Sequence, residues 1–274
     1  METIPEEEEV EEVDPLLGAV LADTYRLDSL LAEGGMSRLY RGYHLRLEQA
    51  VAIKVSTASR SGRSSSAERA AREARILAGI RSDHVVRVLD LCETPDRRPV
   101  MVTELLEGMD LAQRIAEAKR LSVEAAIHIG IGICSGVALA HARGLVHRDL
   151  KPSNIFLAKL TKVAKDGDEE VVKVIDFGVA KQEGAATLTQ DGSFLGTPSF
   201  MAPEQASRPS DVDARADIYA VGAILYNMVA GVMPYGTHEP HKTLMLLMTE
   251  PPPALDSVAK DIPPAFVEVV EAAM

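Results

Sequence analysis

The amino-acid sequence predicts an α+β chain of two lobes: a small strand-rich lobe with one helix over residues 21–104, then a larger, mainly helical lobe over residues 105–274. Three observations carry this prediction. Between Tyr25 and Glu104 the apolar residues fall in short runs separated by turn residues, the pattern of strands. After Gly108 the apolar spacing becomes helical. A chain of 274 residues with 46% hydrophobic content can bury a sizeable core and suits one large domain or two packed lobes.

An acidic leader comes first. Glu2, Glu6 to Glu9, Glu11, Glu12 and Asp14 place eight acids and no base in the first fourteen residues. A like-charged block of that density repels itself and stays solvated, so residues 1–20 are predicted as a disordered leader. Strands are predicted at 38–42, 50–55, 85–91 and 100–103. One helix over 67–80, with Ile76, Leu77 and Ile80 at helical spacing, follows a Ser/Gly/Arg-rich stretch at 56–66. In the second lobe, helices are predicted at 111–118 and 123–143, the latter closed by Gly144 as its C-cap. A hairpin over 154–160 and 171–177 comes next, then helices at 216–230, ending at Gly231, and at 265–274.

Composition narrows the functional classes. Cys92 and Cys134 are too few for a disulfide framework, and no Cys/His cluster has a zinc-type spacing, which points to a reducing, cytoplasmic setting. No apolar run approaches the roughly 20 residues that a membrane span needs. The acidic N-terminus is unlike a secretory signal. The net charge of −12 argues against a nucleic-acid partner, although most of it resides in the leader.

The chemistry lies in His147-Arg148-Asp149-Leu150-Lys151-Pro152-Ser153-Asn154, followed at the end of the next predicted strand by Asp176-Phe177-Gly178. Phosphoryl transfer needs a carboxylate to orient or accept a hydroxyl proton, and separate oxygen ligands to hold a metal against phosphates. Asp149 fits the first need; Asn154 and Asp176 fit the second. Either tripeptide alone would read as an ordinary turn with a salt bridge, but both, in order and flanking one hairpin, do not.

This segment resembles the catalytic and magnesium loops of protein kinases, and Val51-Ala52-Ile53-Lys54 resembles the strand that bears their phosphate-binding lysine. The resemblance covers about residues 20–274. It implies the two-lobed protein kinase fold, ATP with Mg2+ (or Mn2+ in its place) as cofactors, and transfer of the γ-phosphoryl group to protein hydroxyls. Asp149 is implied as catalytic base with Lys151 beside it, Lys54 as paired with Glu73 on the small-lobe helix, and Asn154 and Asp176 as metal ligands. His147, Leu77 and Phe177 are read as packed structural residues. Nucleotide contacts are implied at Leu31, Ala32, Gly34, Ser37 and Leu39 of the glycine-rich loop, at Ala52 and Lys54, at Glu104 and Leu106 of the hinge, and at Asp110 as a ribose-binding acid. The loop Ala32-Glu33-Gly34-Gly35-Met36-Ser37 keeps only the middle glycine of the family's G-x-G-x-x-G and looks like those of bacterial serine/threonine kinases.

Gly196-Thr197-Pro198-Ser199-Phe200-Met201-Ala202-Pro203-Glu204 resembles the segment that closes the activation loop, and Lys151 and Thr197 resemble the serine/threonine class. Arg148 ahead of Asp149 implies a loop ordered by phosphorylation at Thr187, Thr189 or Ser193, reached through self-association and autophosphorylation. Expected partners are ATP and protein substrates, with no nucleic acid. The alternative is a pseudokinase or nucleotide-binding scaffold, which normally lacks one of the Lys and Asp residues present here. A dinucleotide-binding enzyme is excluded because G-x-G-x-x-G and alternating βαβ units are missing. The family's arginine partner for Glu204 is missing before Met274, so the catalytic domain is expected to continue past that residue.

Overall fold

A computed structural model of the chain describes residues 14–35, 37–57, 65–160, 170–177, 198–236 and 239–274. Residues 1–13 of the leader and the candidate phosphorylation sites Thr187, Thr189 and Ser193 lie outside the described residues. Backbone proximity divides the chain into one unit drawn from Met1–Ser61 and Leu89–Leu105, and a second drawn from Gly62–Val88 and Leu106–Met274.

The first unit is built on a six-stranded sheet in the order β1-β2-β3-β4-β6-β5. Its strands are β1 Val20–Leu21, β2 Tyr25–Gly34, β3 Ser37–His44, β4 Gln49–Ser56, β5 Val88–Glu93 and β6 Pro99–Glu104. The pairs β2–β3, β3–β4 and β4–β6 are antiparallel. Residues directly opposite one another share a face, so the register separates two sets. Ala32, Leu39, Lys54 and Met101 align on one face; Tyr40, Ile53 and Val102 align on the other. The second face carries the core of this unit, in which Leu27, Tyr40, Val51, Ile53, Val55 and Val102 are buried with Leu16 and Leu21. Residues 14–19, expected within the solvated leader, thus belong to the packed structure: Leu16 is 8% exposed, and the Gly18 amide donates to Leu27 O at 2.8 Å.

The second unit contains α1 Ser65–Ala78, α2 Leu111–Ala118, α3 Val123–His141, α4 Pro203–Ser207, α5 Arg215–Ala230, α6 Pro240–Thr249, α7 Leu255–Val258 and α8 Pro264–Ala273. It also holds the three-stranded antiparallel sheet β7 Gly108–Asp110, β8 Ile155–Lys159 and β9 Glu170–Val174. Helix α1, which the sequence reading placed in the first lobe, groups with this unit. The chain after α1 is stitched to β9: the Val86 amide donates to Val174 O at 3.0 Å, and the Val174 amide donates to His84 O at 2.9 Å. These bonds also explain why the strand expected at 85–91 begins only at Val88, since Val85 is bridged in parallel to Val174 instead.

Helices α3 and α5 form the centre of this unit. Ser122 caps α3, its hydroxyl accepting from the Ala125 amide at 3.2 Å. On opposite sides of α3, Gly130 faces Leu225 of α5 and Gly132 faces Val172 of β9, and the missing side chains allow close approach on both. Gly144, at φ 72°, closes the helix as expected. The Leu145 amide reaches Ala140 O at 3.0 Å and the Gly144 amide reaches His141 O at 2.9 Å, the paired bonds of a Schellman cap. By length and composition alone α3 could cross a membrane, with mean hydropathy 1.7 over an 18-residue window, but it packs against α5 and β9 as a core helix.

Candidate active site

Between α3 and β8 the chain has no regular structure except the 3-10 turn Pro152–Asn154, so side chains must satisfy its backbone groups. Asp217, on the first turn of α5 and 1% exposed, does most of this. Its carboxylate accepts from the amides of His147 at 2.8 Å and Arg148 at 2.9 Å, and meets His141 Nε2 at 2.7 Å. Gln205 adds a second hold: its Nε2 donates to Arg148 O at 2.8 Å while its Oε1 accepts from the Ala202 amide at 3.0 Å. Held this way, Arg148 adopts φ 62°, a left-handed conformation that a non-glycine residue keeps only when its surroundings impose it. The Nε of Arg148 is buried and has no hydrogen-bond partner among the described residues.

His147 is fully buried beneath this loop. Its Nε2 lies 3.0 Å from Ile175 O and its Nδ1 accepts from the Asp149 amide at 3.3 Å, a pair of contacts that suits a neutral ring with its proton on Nε2. Burial holds its pKa below the usual histidine value, outweighing the nearby carboxylate of Asp217. The Phe177 ring packs on it at a centroid distance of 4.6 Å. His147 therefore supports the loop and is not exposed to donate or accept a proton.

The open group is Asp149. Asn154 Nδ2 donates to Asp149 O at 2.7 Å and lies 3.3 Å from Oδ2, while Lys151 Nζ stands 3.5 Å from the same oxygen. The carboxylate side chain is 20% exposed, which leaves it reachable from solvent. The Ile175 amide donates to Asn154 O at 2.9 Å and so carries Asp176, exposed and at φ 55°, alongside the loop. Asp149, Lys151, Asn154 and Asp176 are thereby assembled in the second unit, as a carboxylate with an ammonium and an amide around it and a second carboxylate one step away.

In the first unit, Ala32, Leu39 and Lys54 occupy one row of one face. Ala52 and Ser37, each two residues from a member of that row, lie on the same face. Gly34 pairs with Ser37 at the mouth of the β2–β3 turn, and Leu31 sits in a bulge of β2 between Leu30 and Ala32. Glu104 ends β6 opposite Val51, and half-buried Leu106 follows on the way to β7. Asp110 has a role that the motif reading missed: it is the N-cap of α2, with Oδ1 accepting from the Gln113 amide at 2.9 Å. Glu73 is half-buried on α1, one turn before Leu77, which is 2% exposed. His141 and Gln205 were not foreseen either, because each acts across the fold and no linear spacing marks it.

Comparison with known proteins bears on this arrangement. The family model described as "Protein kinase domain" matches residues 25–265. The chain is 37% identical to the serine/threonine-protein kinase Pkn1 of Myxococcus xanthus over 262 residues, covering 95% of the chain and 36% of the relative. It is 34% identical to PknL of Mycobacterium bovis over 260 residues, covering 95% of the chain and 62% of the relative. It is also 34% identical to PknA of Mycobacterium tuberculosis over 263 residues, covering 94% of the chain and 58% of that protein. The chain thus spans about a third to three-fifths of the length of these relatives.

Proposed function

The chain belongs to the protein kinase domain family, and from that membership we propose that it is an ATP-dependent serine/threonine protein kinase that transfers the γ-phosphoryl group to protein hydroxyls. The observation that carries the reading is the partly open Asp149 carboxylate, steadied by Asn154 and Lys151 on a loop that Asp217 holds from below. In the proposed step the substrate hydroxyl oxygen bonds to the γ-phosphorus as the bond to the bridging oxygen breaks. The hydroxyl proton passes to Asp149, and ADP leaves with the electron pair.

The residues present fit a divalent ion. Since the Asn154 amide nitrogen is committed to Asp149, its other terminal atom is an oxygen; with the exposed Asp176 carboxylate the donors are all oxygen, which suits Mg2+ or Mn2+. Two oxygen donors from the protein suit an ion whose remaining ligands come from phosphates and water. When bound, such an ion offsets the negative charge of the phosphates.

For the nucleotide, Lys54 is proposed to meet the phosphates, Leu31, Ala32, Leu39 and Ala52 to contact the base and sugar, Glu104 and Leu106 to present backbone groups to adenine, and Asp110 to reach the ribose. Glu73 keeps the role that the resemblance gives it. Gly34 and Gly35 support phosphate binding, because nothing in the described protein requires glycine there. Neither has a left-handed φ; an added Cβ would meet only Ser37 O at 3.6 Å at Gly34, and nothing within 4 Å at Gly35. Their bare backbone leaves room for a phosphate to approach, with Ser37 beside it. The unpartnered Arg148 Nε supports ordering by a phosphate at Thr187, Thr189 or Ser193, added by a second copy of the chain. A cytoplasmic setting, with ATP and protein substrates at hand, completes the reading. Displacement of a fluorescent ATP analogue by Mg·ATP tests it: Lys54→Met should weaken binding strongly, and equal affinity in parent and variant would remove Lys54 from the site.

A further inference from the structure

The family match starts at residue 25, yet Leu16 and Leu21, ahead of it, are part of the core of the first unit. We propose that Asp14 is a positioning residue for the glycine-rich hairpin, bracing from behind the turn that presents Gly34 and Ser37 to the phosphates. The proposal rests on the nucleotide reading given above.

The connections run in three steps. Asp14 Oδ2 accepts from the Tyr40 hydroxyl at 2.6 Å and stands 3.5 Å from Arg38 Nη1, while its Oδ1 accepts from the Leu16 amide at 3.0 Å. Arg38 in turn spans the hairpin, with Nε and Nη2 at 2.8 and 2.7 Å from Glu33 Oε1. Glu33 and Arg38 are directly opposite in the β2–β3 register, one pair below Gly34 and Ser37. The cross-strand ion pair nearest the turn is therefore tied to a carboxylate from outside the hairpin.

Burial makes the tie matter. Tyr40 is 0% exposed and the Asp14 side chain 12% exposed. A buried phenol needs an acceptor, and a buried carboxylate needs its charge balanced; each supplies part of what the other lacks, and Arg38 completes the set. Alternation along β3 puts Arg38 and Tyr40 on the face opposite Ser37, Leu39 and Lys54. The polar partners of the Asp14 carboxylate among the described residues are Leu16, Tyr40 and Arg38, so it acts through the hairpin. Leu16, anchored in the core, fixes where Asp14 sits.

The test uses the full chain with Asp14→Asn, which keeps an acceptor for Tyr40 but removes the charge that holds Arg38, and with Arg38→Met, which removes the other partner. Amide hydrogen exchange across residues 29–41 without nucleotide, Mg·ATP affinity and thermal melts are measured on each variant and on the double variant. Either single change should speed exchange in 29–41 while sparing 51–55, and weaken Mg·ATP about three- to tenfold, with kcat at saturating ATP nearly unchanged. The double variant should be no worse than the worse single. A lowered melting temperature with unchanged exchange and affinity would overturn the proposal, as would fully additive effects. If the parent fails to bind Mg·ATP, the nucleotide reading falls by itself, and exchange across 29–41 still decides whether Asp14 braces the hairpin.

Discussion

Asp217 illustrates how single residues set this site, because one buried carboxylate terminates two backbone amides and a histidine at once. Asp217→Asn turns an all-acceptor group into one with an N–H2 facing donors. Chemical denaturation should register a loss of about 2–4 kcal/mol, and phosphoryl transfer should fall with it. An unchanged midpoint would remove Asp217 as the loop's anchor. His147 predicts a pH dependence. Burial depresses its pKa below the ordinary 6.5 in the fold, so as pH falls the unfolded chain takes up this proton first. Its contribution to stability is complete above about pH 6.5 and declines as pH drops towards the folded pKa. Melts between pH 8 and pH 5.5 should therefore slope less in His147→Gln than in the parent; parallel profiles would contradict the neutral, buried assignment.

At the scale of elements, the periodic segments were the legible ones. The spacing predicted α2 at 111–118, where it lies, and α3 from 123, where it starts; each shows an apolar pattern several turns long. Strands β1 and β7, of two and three residues, are too short to carry any period, and they exist because longer partners pair with them. The docking of Leu16 was hidden for a different reason: an average over charge-dense residues says nothing about one leucine beside a core. In the site, contiguous motifs made Asp149, Asn154 and Asp176 visible, whereas His141, Gln205 and the Asp14 brace depend on folding distant segments together. The glycines of α3 give a packing prediction. A Cβ on Gly136 would collide with the backbone carbonyl of His84, which β9 holds in place, so Gly136→Ala should cost about 1–3 kcal/mol in denaturant unfolding. Gly144→Ala, forcing a side chain into the left-handed cap, should cost about 1 kcal/mol. Wild-type stability in Gly136→Ala would mean that the α3 contact is looser than described.

For the whole molecule, the proposed roles fall to Lys54 and Leu39 in one unit and to Asp149, Asn154 and Asp176 in the other. A ligand that binds only the folded chain raises its stability by mass action, by about 2.7 kcal/mol at a hundredfold excess over Kd. At about 2–4 °C per kcal/mol for a chain of this size, that is a rise in Tm of about 5–10 °C, to be read by differential scanning fluorimetry with Mg·ATP and to be nearly abolished in Lys54→Met. The central claim is chemical, and γ-phosphate transfer tests it most directly. The purified chain is incubated with Mg2+, γ-labelled ATP and a generic Ser/Thr-containing protein, beside Asp149→Asn. The account predicts label on serine and threonine of the substrate with the parent chain, and a rate about a hundred- to ten-thousandfold lower with Asp149→Asn at similar ATP affinity. Equal transfer by the two, or ATP binding by the parent with no transfer above background, would contradict it.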